Sequence, residues 1–130
     1  MIVLDASAVV ELLLQGPRAQ AVERRLIEGA PSLHAPHLLT IEVAQVVRRY
    51  HLVGALSEAR GIEALQALSD LDVNLYAHEP LLAGIWARRA NVTAYDAAYL
   101  ALAEALDAPL VTLDAALAWS AGTVRVDLVH

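Results

Sequence analysis

Cysteine and lysine are both missing from this 130-residue chain. Without cysteine, neither a disulfide framework nor a thiolate metal site can form. Without lysine, the phosphate-binding loop G-x-x-x-x-G-K-[ST] is absent, and so is the late lysine that receiver-domain phosphorylation chemistry needs. No apolar run approaches the roughly 18 residues of a membrane span. The first apolar run has no basic residues before it and is interrupted by Asp5, which makes it a poor signal peptide. The histidines (His34, His37, His51, His78, His130) lack H-x-x-x-H spacing, and Pro36 separates the closest two, so they read as structural or surface residues. Internal repeats, linkers and low-complexity segments are absent too. The expectation is one soluble, cytoplasmic domain over residues 1–130, large enough for a proper core and with no membrane partner.

What is present is apolar and acidic. The hydrophobic fraction is 58% and the mean hydropathy +0.49, from an excess of Ala, Leu and Val. That favours helices and hints at an apolar surface shared with a partner. A net charge of −6 argues against a generic basic nucleic-acid binder. Yet all nine basic residues are arginines, several paired as Arg24-Arg25, Arg48-Arg49 and Arg88-Arg89. Such pairs suit a local phosphate-binding rim as well as ordinary solvated helix faces.

Ile2-Val3-Leu4 reads as a short buried strand, ended by Asp5 and Ser7, which can cap a helix through Val9, Val10 and Leu12 to Leu14. Gly16 breaks the chain, and Pro17 is suited to open a second helix to about Glu28. Ser32 to Ala35 is a strand candidate stopped by Pro36. Helices follow from about His37 to His51 and, after the N-cap Ser57, from Glu58 to Leu68. Val73 to Ala77 alternates like a strand, and Pro80 suits the first position of a helix to about Ala90. Thr93 opens a helix from Ala94 to Leu106. Pro109 to Leu113 is a strand ending at Asp114, followed by a short helix to Trp119 and a strand from Val124 to Val129. Strands alternating with helices imply a mostly parallel sheet covered on both faces.

Four carboxylates recur at informative places. Asp5 and Asp114 end apolar strands, where an α/β sheet binds ligands, although each also suits an N-cap. Asp96 follows Thr93 in an acidic variant of the capping box. Glu42 falls on a helix at the border between its polar arc and its apolar stripe. Each has an ordinary structural explanation when taken alone. Together, and with no cysteine available, they suit Mg²⁺ or Mn²⁺ rather than zinc. Such a metal lowers the pKa of a bound water and counters charge on a phosphodiester.

The order Ile2-Val3-Leu4-Asp5-Ala6-Ser7, then Ile41-Glu42-Val43, then Ala94-Tyr95-Asp96-Ala97-Ala98-Tyr99-Leu100-Ala101-Leu102-Ala103, then Leu110-Val111-Thr112-Leu113-Asp114 closely resembles the PIN-domain ribonucleases. Within them it looks most like the VapC-type toxins of prokaryotic toxin–antitoxin pairs. The resemblance covers essentially the whole chain. It implies a three-layer α/β/α fold with a mostly parallel sheet of about five strands. It also implies a Mg²⁺ or Mn²⁺ site made of Asp5, Glu42, Asp96 and Asp114, with Ser7 and Thr112 supporting those ligands. Cleavage of RNA, a homodimer, and neutralisation by a VapB-type antitoxin in a hetero-oligomer are implied as well. One residue departs: many relatives carry Asn three positions after the helix glutamate, where this chain has Gln45. Arg48 and Arg49 are the arginines expected near the RNA. Tyr50, Leu52 and Leu56 are candidates for a groove between the early helices that an antitoxin helix fills. The rival reading is a catalytically inactive PIN-like module that binds RNA or protein without cutting. The four acids argue against it.

Overall fold

The computed structural model describes all of residues 1–130. Strand β1 (Ile2–Leu4) lies at the centre of a five-stranded sheet, flanked by β2 (Leu33–Pro36) and β4 (Leu110–Thr112), with β3 (Val73–Tyr76) and β5 (Val126–Leu128) at the edges. Every pairing is parallel: Val3 registers with His34 on one side and Leu110 on the other. The strand order 3-2-1-4-5 runs outward from β1 through β3, then restarts at β4 on the opposite side. The connection therefore reverses between β1 and β4, and a crevice opens there at the carboxyl ends of the strands. Asp5 follows β1, and Thr112 to Asp114 follow from β4, so both strand-end acids flank that crevice.

The two faces of the sheet are covered differently. On one, α1 (Ala6–Leu13) packs against α2 (Ala19–Ile27) and α3 (Leu38–Leu52), and α3 against α4 (Glu58–Asp70). On the other, α6 (Ala94–Leu106) lies over β1, β2 and β4 with α5 (Leu82–Ala87) against it. Ala97 through Ala103 of α6 are all buried. A helix apolar on every side is a core element rather than an amphipathic cover. Part of the hydrophobic excess that hinted at a partner surface is therefore internal. Gly84 permits the close α5–α6 approach, since a Cβ there would lie 3.0 Å from that of Ala101.

Local signals explain most boundaries. The Thr93 and Ser57 hydroxyls accept from the N–H groups of Asp96 and Arg60 at 3.2 and 3.1 Å, as N-caps should. His37 does not cap α3 through its side chain; the Leu38 N–H instead donates to Nε2 of His78 at 2.9 Å. Buried His34 is similarly structural, with its ring nitrogens on Ser32 Oγ and Tyr76 Oη at 2.7 and 2.6 Å.

Two expected helix starts are displaced. Pro17 does not open α2, which begins at Ala19: the Ala19 N–H donates to the Gly16 carbonyl at 3.0 Å in a turn, and the Glu11 carboxylate takes the Arg18 N–H at 2.7 Å, tying that turn to α1. Pro80 lies in a single 3-10 turn (Glu79–Leu81), and α5 ends at Ala87, with Arg88 closing its last turn. The short helix α7 (Ala115–Trp119) starts at Asp114 as expected.

Candidate active site

Asp5 is the best-ordered member of the site. Its Oδ1 accepts from Ser7 Oγ at 2.7 Å and from the Ala8 N–H at 3.1 Å, and its Oδ2 accepts from Thr112 Oγ1 at 2.5 Å. Asp5 is thus both the N-cap of α1 and a carboxylate fixed from α1 and from β4. Burial pushes its pKa up; the three hydrogen bonds pull the other way, and the charge of Asp114 raises it further. Thr112 is fully buried, and its Oγ1 also accepts from the Asp114 N–H at 3.0 Å. Ser7 Oγ accepts from the Leu113 N–H at 3.0 Å. The two hydroxyls expected to support the acids therefore bridge β1 to the segment after β4.

Glu42 does not reach for solvent. Its Oε1 accepts from Tyr99 Oη at 2.6 Å, which draws it inward from α3 to the top of α6. Burial raises its pKa; the Tyr99 bond opposes this, and the charges of Asp96 and Asp5 raise it again. Asp96, one turn into α6, is raised by burial and then by the charge of Asp114. Its carboxylate makes no reciprocal bond to the Thr93 N–H, so the capping box is only half formed. Asp114 is exposed and caps α7, with Oδ1 accepting from the Ala116 and Leu117 N–H groups at 2.9 and 3.2 Å.

The structure thus brings all four acids into one electrostatic neighbourhood at the carboxyl edge of the sheet, and none is in a salt bridge. As placed, no group of three or more His, Cys, Asp or Glu side chains stands close enough to hold an ion. Charge and donor chemistry nevertheless fit a divalent cation. The acids repel one another without a counter-charge, all donors are oxygen, and at least one oxygen of each is unpinned or has a lone pair to spare. A cation would draw them inward.

Two clefts adjoin the acids. One, of about 370 Å³, is lined among others by Ser7, Glu11, Arg18, Arg49, Tyr50 and Asp114. The other, about 360 Å³, includes Leu38, Ile41, Glu42, Gln45, Arg49 and Tyr95. Arg49 belongs to both, whereas Arg48 is exposed and lines neither. Gln45 stands beside Glu42. The other arginine pairs are partly spent on structure: Arg25 holds Asp127 at 2.9 and 3.2 Å, and Arg88 pairs with Glu104. Sequence reasoning gave no role to Tyr99 or Arg18. Tyr99 was visible one turn beyond Asp96 in the same segment, but its partner on a distant helix was not.

The PIN domain family model matches residues 2–119, and the chain belongs to that family. Among curated relatives it is 46% identical over 121 residues to ribonuclease VapC1 of Mycobacterium tuberculosis, covering 92% of this chain and 90% of that one. It is 38% identical over 130 residues to ribonuclease VapC12 of the same organism, covering 99% of both. Among solved structures, VapBC2 from Rickettsia felis superposes with a TM-score of 0.72 at 12% identity, covering all of both chains. VapC20 of M. tuberculosis, described as a sarcin-ricin loop cleaving toxin, gives 0.71 at 15% identity, covering 92% of this chain and 95% of that one. At such identities these structural likenesses speak for the fold.

Proposed function

We propose that the protein is a VapC-type endoribonuclease, the toxin of a toxin–antitoxin pair, cleaving RNA at the carboxylate crevice with Mg²⁺ or Mn²⁺. The observation that carries this reading is the mutual charging of Asp5, Glu42, Asp96 and Asp114 at the sheet's switch point, in a chain 46% identical to a named ribonuclease. These four would hold the cation. When bound, it supplies Lewis acidity that acidifies a water and offsets charge developing on the phosphodiester. The residues of the chain prepare the site. Ser7 and Thr112 fix Asp5, Tyr99 turns Glu42 inward, and the α7 cap restrains Asp114 through one oxygen only. Arg49, free of salt bridges and shared by both clefts, would contact the RNA backbone, with Arg48 on the adjoining exposed surface.

The antitoxin partner is of the VapB type. Its support is a third groove, about 320 Å³, lined by Val10, Leu14, Pro17, Tyr50, Ala55 and Leu56 among others, between α1 and the α3–α4 connection. Structural relatives are described as VapBC and FitAB assemblies. Exposed Ile41, Leu82, Trp86 and Tyr95 supply apolar surface for a homodimer. No helix is long and apolar enough to cross a membrane.

Purified protein incubated with mixed RNA and Mn²⁺ tests the reading. Cleavage should need the metal, stop in EDTA, and vanish in Asp5→Asn with the fold retained by circular dichroism. Metal-independent cleavage, or an Asp5→Asn variant of full activity, overturns it. RNA binding with no cleavage under any divalent cation would favour the non-cutting rival.

A further inference from the structure

One wall of the cleft beside Asp114 is assembled by an interaction that neither helix periodicity nor the acid cluster requires. Gln15 leaves α1 in the left-handed region (φ 53°), and Gly16 then turns back so that its N–H donates to the Glu11 carbonyl at 3.0 Å. The Glu11 side chain is only 15% exposed and lies across that turn. A Cβ at Gly16 would meet the Glu11 carboxylate at 2.4–2.5 Å, so any side chain there would have to displace that carboxylate. Glu11 Oε1 takes the Arg18 N–H at 2.7 Å and lies 3.9 Å from Arg18 Nε. Arg18 is thereby held on the cleft by its backbone, while its side chain remains 43% exposed and Arg49 stands on the same cleft without a salt bridge.

We propose that this cleft is a phosphate-binding subsite for single-stranded RNA next to the scissile position, formed by Arg18 and Arg49, with Glu11 as the residue that positions Arg18. The inference rests on the ribonuclease reading above, because the strand must reach Asp114 and Ser7 for the subsite to matter. Two arginines lining one cleft suit a phosphodiester's paired oxygens. The four acids repel RNA, so a cationic contact beside them is needed to keep the backbone in place. Glu11 is one more negative charge in the cleft, set against both the Arg18 N–H and the Arg18 guanidinium. Its use is local: it takes the Arg18 N–H, a donor that the start of α2 leaves without an intrahelical partner, and so ties residues 16–18 to α1.

The two explanations make opposite predictions for Glu11. If it acted only as a charge, removing it would tighten RNA binding. If it positions Arg18, Glu11→Ala should weaken binding, Gly16→Ala should do the same by displacing the carboxylate without changing any charge, and Glu11→Gln should be spared because its amide oxygen still accepts the Arg18 N–H. The measurement is fluorescence anisotropy of a labelled single-stranded RNA 12-mer against the full chain in Mg²⁺, over a salt series, in an Asp96→Asn background that does not cut. Thermal melts confirm that each variant is folded. Arg18→Ala should weaken binding about five- to tenfold at low salt and flatten the slope of log affinity against log salt by about 0.7, one single-strand phosphate contact. Unchanged affinity and slope in Arg18→Ala overturn the subsite. Tighter binding by both folded Glu11→Ala and Glu11→Gln overturns the positioning role. If the parent binds no RNA at any salt and wild type cuts none, it is the nuclease reading that fails; a parent that binds with Arg18 irrelevant fails this inference alone.

Discussion

Tyr99 and Glu42 sit on helices from opposite faces of the sheet, and the 2.6 Å bond from Tyr99 Oη to Glu42 Oε1 joins them above its carboxyl edge. Tyr99 is 1% exposed, so its ring is fixed by the core and its hydroxyl cannot follow Glu42 to solvent. Burial and the neighbouring Glu42 carboxylate push that phenol's pKa up, which favours the protonated, donating form. The bond commits one oxygen of Glu42 and leaves Oε2 for a ligand.

Tyr99→Phe removes this bond and almost nothing else. The core volume is conserved, so the melting point should move little, with a cost of about 1 kcal/mol for one lost hydrogen bond. Removing the support of a metal-binding carboxylate should weaken Mn²⁺ binding by about tenfold or more. Isothermal titration with Mn²⁺ reads this directly, without RNA. Equal affinities in the two proteins would show that Glu42 needs no such support.

The raised carboxyl pKa values of Asp5, Glu42 and Asp96 set a pH dependence of stability. An acid whose pKa is higher folded than unfolded binds extra proton in the native state. Its destabilising charge is absent below the ordinary values of 3.8 for Asp and 4.5 for Glu and develops as pH climbs through the raised folded values. The metal-free protein should therefore lose stability from these groups as pH rises above that range towards neutrality. Mn²⁺ at about a hundred times its dissociation constant should restore roughly 2.7 kcal/mol. Urea melts across that range with and without Mn²⁺ check both halves. A metal-free stability that rises steadily to neutral pH, with no response to Mn²⁺, contradicts the shared site.

Asp96 separates a helix cap from a ligand. Thr93 supplies the cap of α6 through its own hydroxyl, and the Asp96 carboxylate returns no bond to Thr93. Thr93→Ala should cost about 1 kcal/mol. Asp96→Asn should leave the metal-free protein as stable as wild type or more so, since it removes one of four repelling charges, and it should lose most of the Mn²⁺ stabilisation. Thermal melts of the two variants give the comparison; a destabilised Asp96→Asn that keeps the full metal response reverses the assignment.

The element order, the parallel sheet and the places of Asp5 and Asp114 near strand ends were legible because each is written locally: β-branched runs for strands, Thr93 and Ser57 for caps, a carboxylate soon after each apolar run. Glu42 was the least legible acid. Periodicity puts it on the border of its helix, and the Tyr99 hydroxyl that decides its direction lies 57 residues away. The start of α2 was misplaced for the same kind of reason. Gly16-Pro17 is a sound helix-start signal, but residues 16–18 form a turn tied to Glu11 on the preceding helix, and the helix begins at Ala19. Of the arginine pairs, sequence could not tell which would be spent on Asp127 and Glu104 and which would stay free.

Thr112 offers the sharpest test of how the acids are coupled. Its single hydroxyl donates to Asp5 Oδ2 at 2.5 Å and accepts from the Asp114 N–H at 3.0 Å, so it ties the acid after β1 to the backbone of the acid after β4. Thr112→Val keeps the shape and the β-branching but strands a nearly buried carboxylate oxygen and a backbone N–H. The cost should be about 1–3 kcal/mol, the desolvation penalty of groups left unpaired. It should also weaken Mn²⁺ binding, because Asp5 loses one of the bonds that favour its charged form. Thr112→Ser retains the hydroxyl and loses only a methyl group, so it should recover most of the metal affinity while still losing some packing stability. That split is the discriminating result. If the Val variant keeps its metal affinity while the Ser variant loses it, the contribution of Thr112 is its methyl group in the core, and the hydroxyl bridge between Asp5 and Asp114 has no part in the site.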